Sequence, residues 1–314
     1  MGAAQAPGGG TVTASEGGAR WLVTGAGGML GRDLCAALAQ AGEDRVTAAD
    51  RAALDITDAS AVRAAVAGHD VVVNCAAYTN VDGAESEASR ADAVNGHAVG
   101  LLADACARGG ARLLQLSTDY VLPGASPEPQ PEDAPTGPPN AYGRSKLLGE
   151  RLLAERLPEA GYVVRTAWLY GEHGGNFVAT MLRLAAERPR VDVVDDQHGQ
   201  PTWTVPLARQ LVALGRAAVA GEAPPGVYHG TSGGRTTWHG LARAVFTHAG
   251  LDPARVHPTT TSAFPRPAVR PTYSVLAHHR WPATGVPAQP HWEDSLVLAL
   301  QQPAFQELAA KARG

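Results

Sequence analysis

The chain has 314 residues, and its 45% hydrophobic content is enough to form one large domain or two closely packed ones. Its formal net charge of −4 gives no indication of binding to nucleic acid or to an anionic membrane surface. No apolar run is long enough to span a membrane, and the three widely spaced cysteines (Cys35, Cys75 and Cys106) fit neither a disulfide framework nor a zinc site. We therefore expect a cytoplasmic protein in a reducing compartment.

The N-terminal segment, residues 1–19, is rich in glycine, alanine, serine and threonine. It lacks the basic start and the apolar centre of a secretory signal. We predict a disordered tail here.

A glycine-rich turn follows the first apolar run, residues 20–24. Gly25, Gly28 and Gly31 form the pattern G-x-x-G-x-x-G between a predicted strand and a predicted helix. This is typical of dinucleotide-binding folds, because glycine allows a tight turn and a close approach of the backbone to a pyrophosphate.

The next predicted strand, residues 45–50, ends in Asp50, where a ribose-binding carboxylate belongs, and Arg51 follows it. The acid favours NAD and the arginine favours NADP, so the cofactor choice stays open. The alternative for Asp50 and Arg51 is that they are ordinary polar residues at the end of a strand and bind no cofactor.

Further strands and helices alternate along the chain. Predicted strands at residues 70–75, 111–117 and 162–166 alternate with predicted helices at 59–67, 88–108 and 147–157. This order predicts an α/β fold with a Rossmann-type, doubly wound parallel sheet. Ligands of such sheets bind beyond the carboxyl ends of the strands. Gly25, Asp50, Ala76, Thr118 and Trp168 all lie at such ends.

A tyrosine and a lysine form the second candidate motif. The chain has only two lysines, Lys146 and Lys311, and Lys146 stands four residues after Tyr142. On a helix, positions i and i+4 share a face, and an ammonium near a phenol lowers the phenol's pKa. The pair could therefore act as a proton donor near neutral pH. The alternative is an exposed helix that carries the two residues by chance.

With Thr118 at the end of the preceding strand, Tyr142-x-x-x-Lys146 and the glycine turn resemble the extended short-chain dehydrogenase/reductase superfamily. Longer stretches at residues 74–87, 93–95, 117–121, 165–171, 176–177 and 195–202 narrow this resemblance to the dTDP-4-dehydrorhamnose reductase family, from about residue 21 to beyond residue 300.

The resemblance implies roles for particular residues. Thr118 would bond the substrate carbonyl, Tyr142 would transfer the proton, and Lys146 would bind the nicotinamide ribose and lower the pKa of Tyr142. The turn and the resemblance together give a cofactor-binding set for NADPH or NADH: Gly25, Gly28, Met29, Leu30, Asp50, Arg51, Asp55, Ile56, Ala76, Ala77, Tyr78, Thr79, Asn95, Tyr142 and Lys146. The substrate-binding set is Thr118, Asp119, Trp168 and Asn176.

The C-terminal part is less regular. We predict a dinucleotide-binding domain at residues 20–170, rejoined by about 204–230, and a substrate-binding lobe at 171–203 and 231–314. Arg235, Arg266 and Arg270 are candidates for diphosphate contacts, with ordinary surface arginines as the alternative. The proline-rich segment 123–139 lies where a lid would, or is an inert connection. Some relatives dimerise through a metal bridged by acidic residues. Those ligands have no match here, so we predict no metal site, and a homodimer stays open.

The implied reaction is the NAD(P)H-dependent reduction of the C4 ketone of a dTDP-4-keto-6-deoxy-L-hexose. The first candidate converts dTDP-4-dehydro-L-rhamnose to dTDP-L-rhamnose. A related reductase for another dTDP-deoxysugar, such as one of the dihydrostreptose type, is the alternative within the same class. A non-catalytic regulatory homologue and a sugar-nucleotide epimerase are alternatives from other classes.

Overall fold

The computed structural model describes residues 18–43 and 45–314. Residues 1–17 of the predicted tail lie outside the described residues. The strands are β1 (Trp21–Thr24), β2 (Val46–Ala49), β3 (Val71–Asn74), β4 (Arg112–Thr118), β5 (Gly161–Thr166), β6 (Leu169–Tyr170), β7 (Val191–Val194), β8 (His198–Gly199), β9 (Thr202–Trp203), β10 (Gly226–His229), β11 (Thr236–Thr237) and β12 (Val256–Thr259). The α-helices are α1 (Met29–Gln40), α2 (Ala59–Val66), α3 (Ala88–Asp92), α4 (Ala98–Gly109), α5 (Ala141–Arg156), α6 (Phe177–Glu187), α7 (Thr204–Ala220), α8 (Trp238–His248), α9 (Trp292–Ala299) and α10 (Pro303–Arg313). None of the described helices is long and apolar enough to cross a membrane.

A six-stranded parallel sheet forms the centre of the molecule, in the order β10-β5-β4-β3-β1-β2. The predicted doubly wound α/β fold is therefore confirmed, and β1 to β5 begin and end within one residue of the sequence expectation. Because all six strands run the same way, their carboxyl ends meet along one edge, where such sheets bind ligands.

Helices cover both faces of this sheet. Alternate residues of each strand point to opposite faces. Trp21 and Val23 of β1 pack with α1 and α7, whereas Leu22 between them packs with α2, α4 and α5. The inner strands β1 and β3 are buried on both faces, which explains the continuous run Val71–Val73.

A second hydrophobic core lies in the C-terminal part. It joins α6, α8, α9 and α10 with β7 and β12, around Leu182, Phe246, Leu296 and Phe305. Strand β10 and helix α7 belong instead to the central sheet and its covering layer. These two cores support our proposal of two units that divide near residues 170, 204 and 231.

The helix expected at residues 88–108 is interrupted. A π-helical turn, Ala93–His97, separates α3 from α4. Such turns are rare and often occur at functional sites. This turn carries Asn95, which was predicted to contribute to the cofactor wall.

Candidate active site

A groove of about 1270 Å³ lies at the carboxyl edge of the sheet. It brings together nearly all of the predicted cofactor residues: Gly25, Gly28, Met29, Leu30, Asp50, Arg51, Asp55, Ile56, Ala76, Ala77, Tyr78, Thr79, Tyr142 and Lys146. Cys75 and Thr166 also line it, although neither was selected from the sequence. Both directly follow or end a strand, at the same edge as the others.

The glycine turn forms the floor of the groove. Gly25 has a φ of +66°, which favours glycine, and a Cβ there would lie 2.6 Å from the Ala76 backbone nitrogen. A Cβ on Gly31 would collide with the Gly25 carbonyl oxygen, so α1 can pack on the turn only with glycine at this position. Gly28 precedes the first residue of α1 and directs the free N–H groups of that helix into the groove. These features fit the diphosphate of a dinucleotide.

Two carboxylates stand where the adenosine half of a dinucleotide would lie. Asp50 Oδ1 accepts hydrogen bonds of 2.9 Å from the backbone nitrogens of Ala52 and Ala53, and so it holds its own turn. Asp55 accepts from the hydroxyl and the backbone nitrogen of Thr57, and these bonds lower the pKa of its carboxyl. Arg51 lies beside both at the surface of the groove. The choice between NADH and NADPH therefore stays open.

Asn95 does not line the groove but holds its wall from behind. It is 1% exposed, accepts a bond of 2.9 Å from the Tyr78 backbone nitrogen, and donates one of 2.9 Å to the Tyr78 carbonyl. It also donates to Ser145 Oγ on α5. Asn95 thus fixes the segment after β3 against the helix that carries Tyr142.

Helix α5 places Tyr142 and Lys146 on one face, in the groove. The Lys146 ammonium is buried and donates a hydrogen bond of 2.6 Å to the Leu116 carbonyl oxygen. Burial lowers the pKa of Lys146 to about 8, although the negative charge of Glu150, one turn later, acts in the opposite direction.

The expectation that Lys146 lowers the pKa of Tyr142 is wrong for the chain without its cofactor. Burial raises the pKa of this phenol above its usual value near 10, and the nearby Asp119 raises it further. Only a hydrogen bond with Thr118 acts in the other direction. The ammonium of Lys146 is hydrogen-bonded to the Leu116 carbonyl oxygen.

The predicted substrate residues Thr118 and Asp119 lie at the end of β4. Thr118 Oγ1 donates a bond of 2.9 Å to Asp119 Oδ1 and accepts one from the Tyr120 backbone nitrogen. Asp119 is 3% exposed, and burial raises the pKa of its carboxyl to about 6. The hydroxyls of Ser274 and Thr118 partly offset this rise.

Trp168 has the only positive φ, +47°, among the described residues other than glycine. Its indole stacks on Trp238, with ring centroids 3.5 Å apart and planes 8° apart. Gly199 packs directly against the same indole. A strained backbone held by its surroundings is a common feature of binding sites.

Asn176 is placed differently from the other predicted substrate residues. Its side chain accepts from the Ala179 backbone nitrogen as the cap of α6, and it donates a bond of 2.8 Å to the Gly171 carbonyl. The amide is therefore engaged in local structure, and its contact with substrate stays a prediction.

A buried ion pair next to Lys146 was not anticipated. Glu150 and Arg165 form a bidentate pair with bonds of 3.0 and 2.8 Å, and Ser117 donates to the same carboxylate. The side chains of Glu150 and Arg165 are 6% and 3% exposed. The spacing of Tyr142, Lys146 and Glu150 at every fourth residue was a signal that could have revealed it.

Three further features considered from the sequence are the diphosphate candidate Arg270, the proline-rich segment 123–139 and a metal site. Arg270 pairs with Asp82 and so joins the loop after β3 to the C-terminal part. The proline-rich segment 123–139 is fixed by backbone hydrogen bonds, including those from Gln130 to Val275 and from Ala277 to Gln130. Its role as a lid stays a prediction. Among the residues that the structure describes, no group of three or more His, Cys, Asp or Glu side chains could hold a metal ion.

Comparison with known proteins gives a consistent result. A family model described as the RmlD substrate-binding domain matches residues 19–304. The chain is 59% identical to a dTDP-4-dehydrorhamnose reductase of Streptomyces griseus, over 88% of this chain and 92% of the relative. It is 50% identical to a dTDP-4-keto-6-deoxy-D-glucose reductase of Streptomyces niveus, over 89% of this chain and 96% of the relative. The crystal structure of dTDP-4-dehydrorhamnose reductase from Bacillus anthracis in complex with NADP superposes with a TM-score of 0.83 and 35% identity, covering 90% of this chain and 98% of that one.

Proposed function

The chain belongs to the RmlD substrate-binding domain family, and we propose that it is an NAD(P)H-dependent oxidoreductase that reduces the C4 ketone of a dTDP-4-keto-6-deoxy-L-hexose. One observation carries the proposal. The groove built by the glycine turn also contains Tyr142 and Lys146, and Thr118 acts to lower the pKa of the phenol. A dinucleotide bound in this groove would therefore lie beside a proton donor.

The side chains have distinct roles in this reaction. When bound, NADPH or NADH supplies the hydride. The phenol of Tyr142, whose pKa burial raises further above neutrality, carries its proton at neutral pH and can donate it to the ketone oxygen as negative charge develops there. Thr118 holds that oxygen by a hydrogen bond, and Lys146 orients the nicotinamide ribose.

The identity of the sugar is the finer part of the proposal. The S. griseus relative is named for dehydrorhamnose and the S. niveus relative for a 4-keto-6-deoxy-D-glucose. Both names specify a 4-keto-6-deoxyhexose linked to dTDP. We propose dTDP-4-dehydro-L-rhamnose as first substrate and a related dTDP-deoxysugar as the alternative. A cytoplasmic location and a homodimer remain predictions.

The test supplies purified protein with a dTDP-4-keto-6-deoxyhexose generated in situ, with and without a 3,5-epimerase. NADPH oxidation is followed and the product sugar is identified. We expect oxidation with the epimerase present. If neither mixture oxidises NADPH, the substrate assignment is wrong and a non-catalytic homologue is favoured. NAD that co-purifies with the protein would instead favour an epimerase.

The role of Tyr142 is tested by Tyr142→Phe, which removes the phenolic proton but keeps the ring. Turnover should be abolished, while NADPH binding, measured by fluorescence, should stay near the wild-type value. Tyr162→Phe is the matched control, because its hydroxyl bonds the Ala223 carbonyl in the core and lines no part of the groove. Retained turnover in Tyr142→Phe would contradict the assigned role.

A further inference from the structure

The buried ion pair of Glu150 and Arg165 lies behind the cofactor groove and lines no part of it. Arg165 of β5 stands directly beside Ser117 of β4 in the sheet. Both side chains donate hydrogen bonds to the Glu150 carboxylate on α5. One carboxylate therefore joins two neighbouring strands to the helix that carries Tyr142 and Lys146.

The stability of the fold does not by itself explain a charged pair at this place. Taking two charges out of water costs free energy, and the attraction between them often fails to exceed that cost. Apolar residues of similar volume commonly give equal or higher stability. We therefore looked for a partner on which the charge of Glu150 acts, and Lys146 is that partner.

The ammonium of Lys146 is buried without a close partner of opposite charge. The residue is 4% exposed, and its Nζ donates to a neutral acceptor, the Leu116 carbonyl oxygen. No carboxylate of residues 18–43 or 45–314 lies within salt-bridge distance of Nζ. Glu150 stands one turn later on the same face of α5, and its negative charge favours the charged form of the ammonium. An ammonium has three N–H donors, so two remain for the hydroxyls of a ribose.

The other groups around this lysine do not supply negative charge at neutral pH. Cys75, which follows β3, is neutral because burial raises the pKa of its thiol to about 12. Tyr142, one turn earlier on α5, is neutral because burial raises the pKa of its phenol. Asp119, at the end of β4, acts on that phenol. Arg165 faces Glu150 from β5 and fixes the position of its carboxylate.

We propose that Glu150 is a positioning residue for the reductase reaction: Arg165 and Ser117 hold its carboxylate behind Lys146, and its negative charge keeps the ammonium charged for binding the nicotinamide ribose. The inference rests on the proposed function, which assigns the ribose to Lys146. A neutral amine offers the ribose hydroxyls weaker hydrogen bonds than an ammonium does. The affinity for NADPH should therefore fall as the pH rises through about 8, where Lys146 loses its proton.

The test measures the Kd of NADPH by fluorescence from about pH 6.5 to about pH 9.5. Glu150→Leu combined with Arg165→Met replaces the pair by apolar side chains of similar volume, an exchange that commonly preserves folding. In this double variant the fall in affinity should begin about one pH unit lower than in wild type, because an opposite charge near the ammonium is gone. At the acidic end of the range its affinity should return to the wild-type value. Glu150→Gln should shift the profile in the same direction, with a lower Tm because Arg165 is left unpaired.

Two control variants accompany the titration. Lys146→Met removes the amine, so its weaker binding should lose the dependence on pH. Asp104→Asn breaks the exposed ion pair between Asp104 of α4 and Arg156 of α5. This pair also involves α5 but is distant in sequence from Lys146, and the variant should keep the wild-type profile.

Each outcome has a separate meaning, and either Glu150 variant alone decides the question. Superimposable pH profiles of the variant and the wild type overturn the inference, even at a lowered Tm, because the pair then has a structural role only. A loss of affinity that is equal at every pH also overturns it. Absence of turnover by the wild type contradicts the proposed function instead, and the cofactor titration, which needs no sugar nucleotide, is interpreted independently of it.

Discussion

The contact between Gly199 and Trp168 allows a direct test of how substrate recognition depends on one indole. A Cβ at position 199 would lie 2.6 Å from Cζ2 and 2.8 Å from Nε1 of Trp168, distances at which one partner must move. The indole has little freedom to do so, because it stacks on Trp238 at 3.5 Å. The φ of Gly199 is not positive, so the effect of Gly199→Ala is steric rather than conformational.

We expect Gly199→Ala to displace the indole and raise the KM for the sugar nucleotide. Overpacking of this kind typically costs about 1–3 kcal/mol. If about 1.4 kcal/mol of that cost falls on substrate binding, the KM rises about tenfold. The KM for NADPH should stay unchanged, because neither Gly199 nor Trp168 lines the cofactor groove.

The assay measures initial rates over both substrates, with Tm from thermal unfolding. Gly109→Ala is the control, since a Cβ there meets no atom within 4 Å and it lies at the end of α4. Gly199→Ala combined with Trp168→Phe gives a double-mutant cycle, in which the smaller ring should relieve the clash. An unchanged KM for the sugar nucleotide, at an unchanged Tm, would refute the idea that the position of this indole determines substrate binding.

Three further changes act on buried charges. Since the folded-state pKa of Asp119 is about 6 against 3.8 for the free side chain, the folded state holds more protons between these values and stability falls as pH rises through them. Asp119→Asn should therefore be more stable than wild type at pH 7.5, by up to about 3 kcal/mol in the free energy of unfolding and with a higher Tm, and the gain should vanish towards pH 4. Glu150→Ala should cost about 3–5 kcal/mol in urea unfolding, because Arg165 is left buried and unpaired. Lys146→Arg should weaken NADPH binding about tenfold or more, measured by fluorescence, because the larger guanidinium does not fit the buried site.

Each of these has its own control. Lys311→Arg replaces the exposed lysine and should leave NADPH binding unchanged. Glu155→Ala, at an exposed position on α5, should alter stability by no more than about 0.5 kcal/mol. A pH-independent Tm difference between Asp119→Asn and wild type would contradict the raised pKa. Full cofactor affinity in Lys146→Arg would show that the scarcity of lysine in this chain has no functional meaning.

The sequence predicted the fold well because the relevant signals are local. A strand of a parallel sheet shows as a short apolar run, and the glycine turn shows in three positions within seven residues. Residues at the carboxyl ends of consecutive strands are brought together by the topology alone. For this reason Gly25, Asp50 and Ala76 could be assigned to one groove from the sequence alone, whereas Thr118 and Trp168, predicted from the same argument, do not line it.

Contacts between distant segments could not be predicted in the same way. The stacking of Trp168 on Trp238 and the pairing of Asp82 with Arg270 each join parts of the chain that no periodicity relates. The role of Asn176 could not be decided from the sequence, because an asparagine fits both a substrate contact and a helix cap. In the structure its side chain caps α6.

The expected effect of Lys146 on the pKa of Tyr142 was wrong for the same reason, because it depends on contacts between distant segments. Helical spacing shows that Tyr142 and Lys146 share a face, but it does not show which acceptor the ammonium selects or how deeply the phenol is buried. In the structure the ammonium bonds Leu116, and burial beside Asp119 keeps the phenol protonated. A reductase needs its tyrosine in the protonated form, since the developing alkoxide takes a proton from it. The phenol is thus in the form that ketone reduction requires, whereas oxidation of the alcohol would require the phenolate and should be slow below the pH at which Tyr142 ionises.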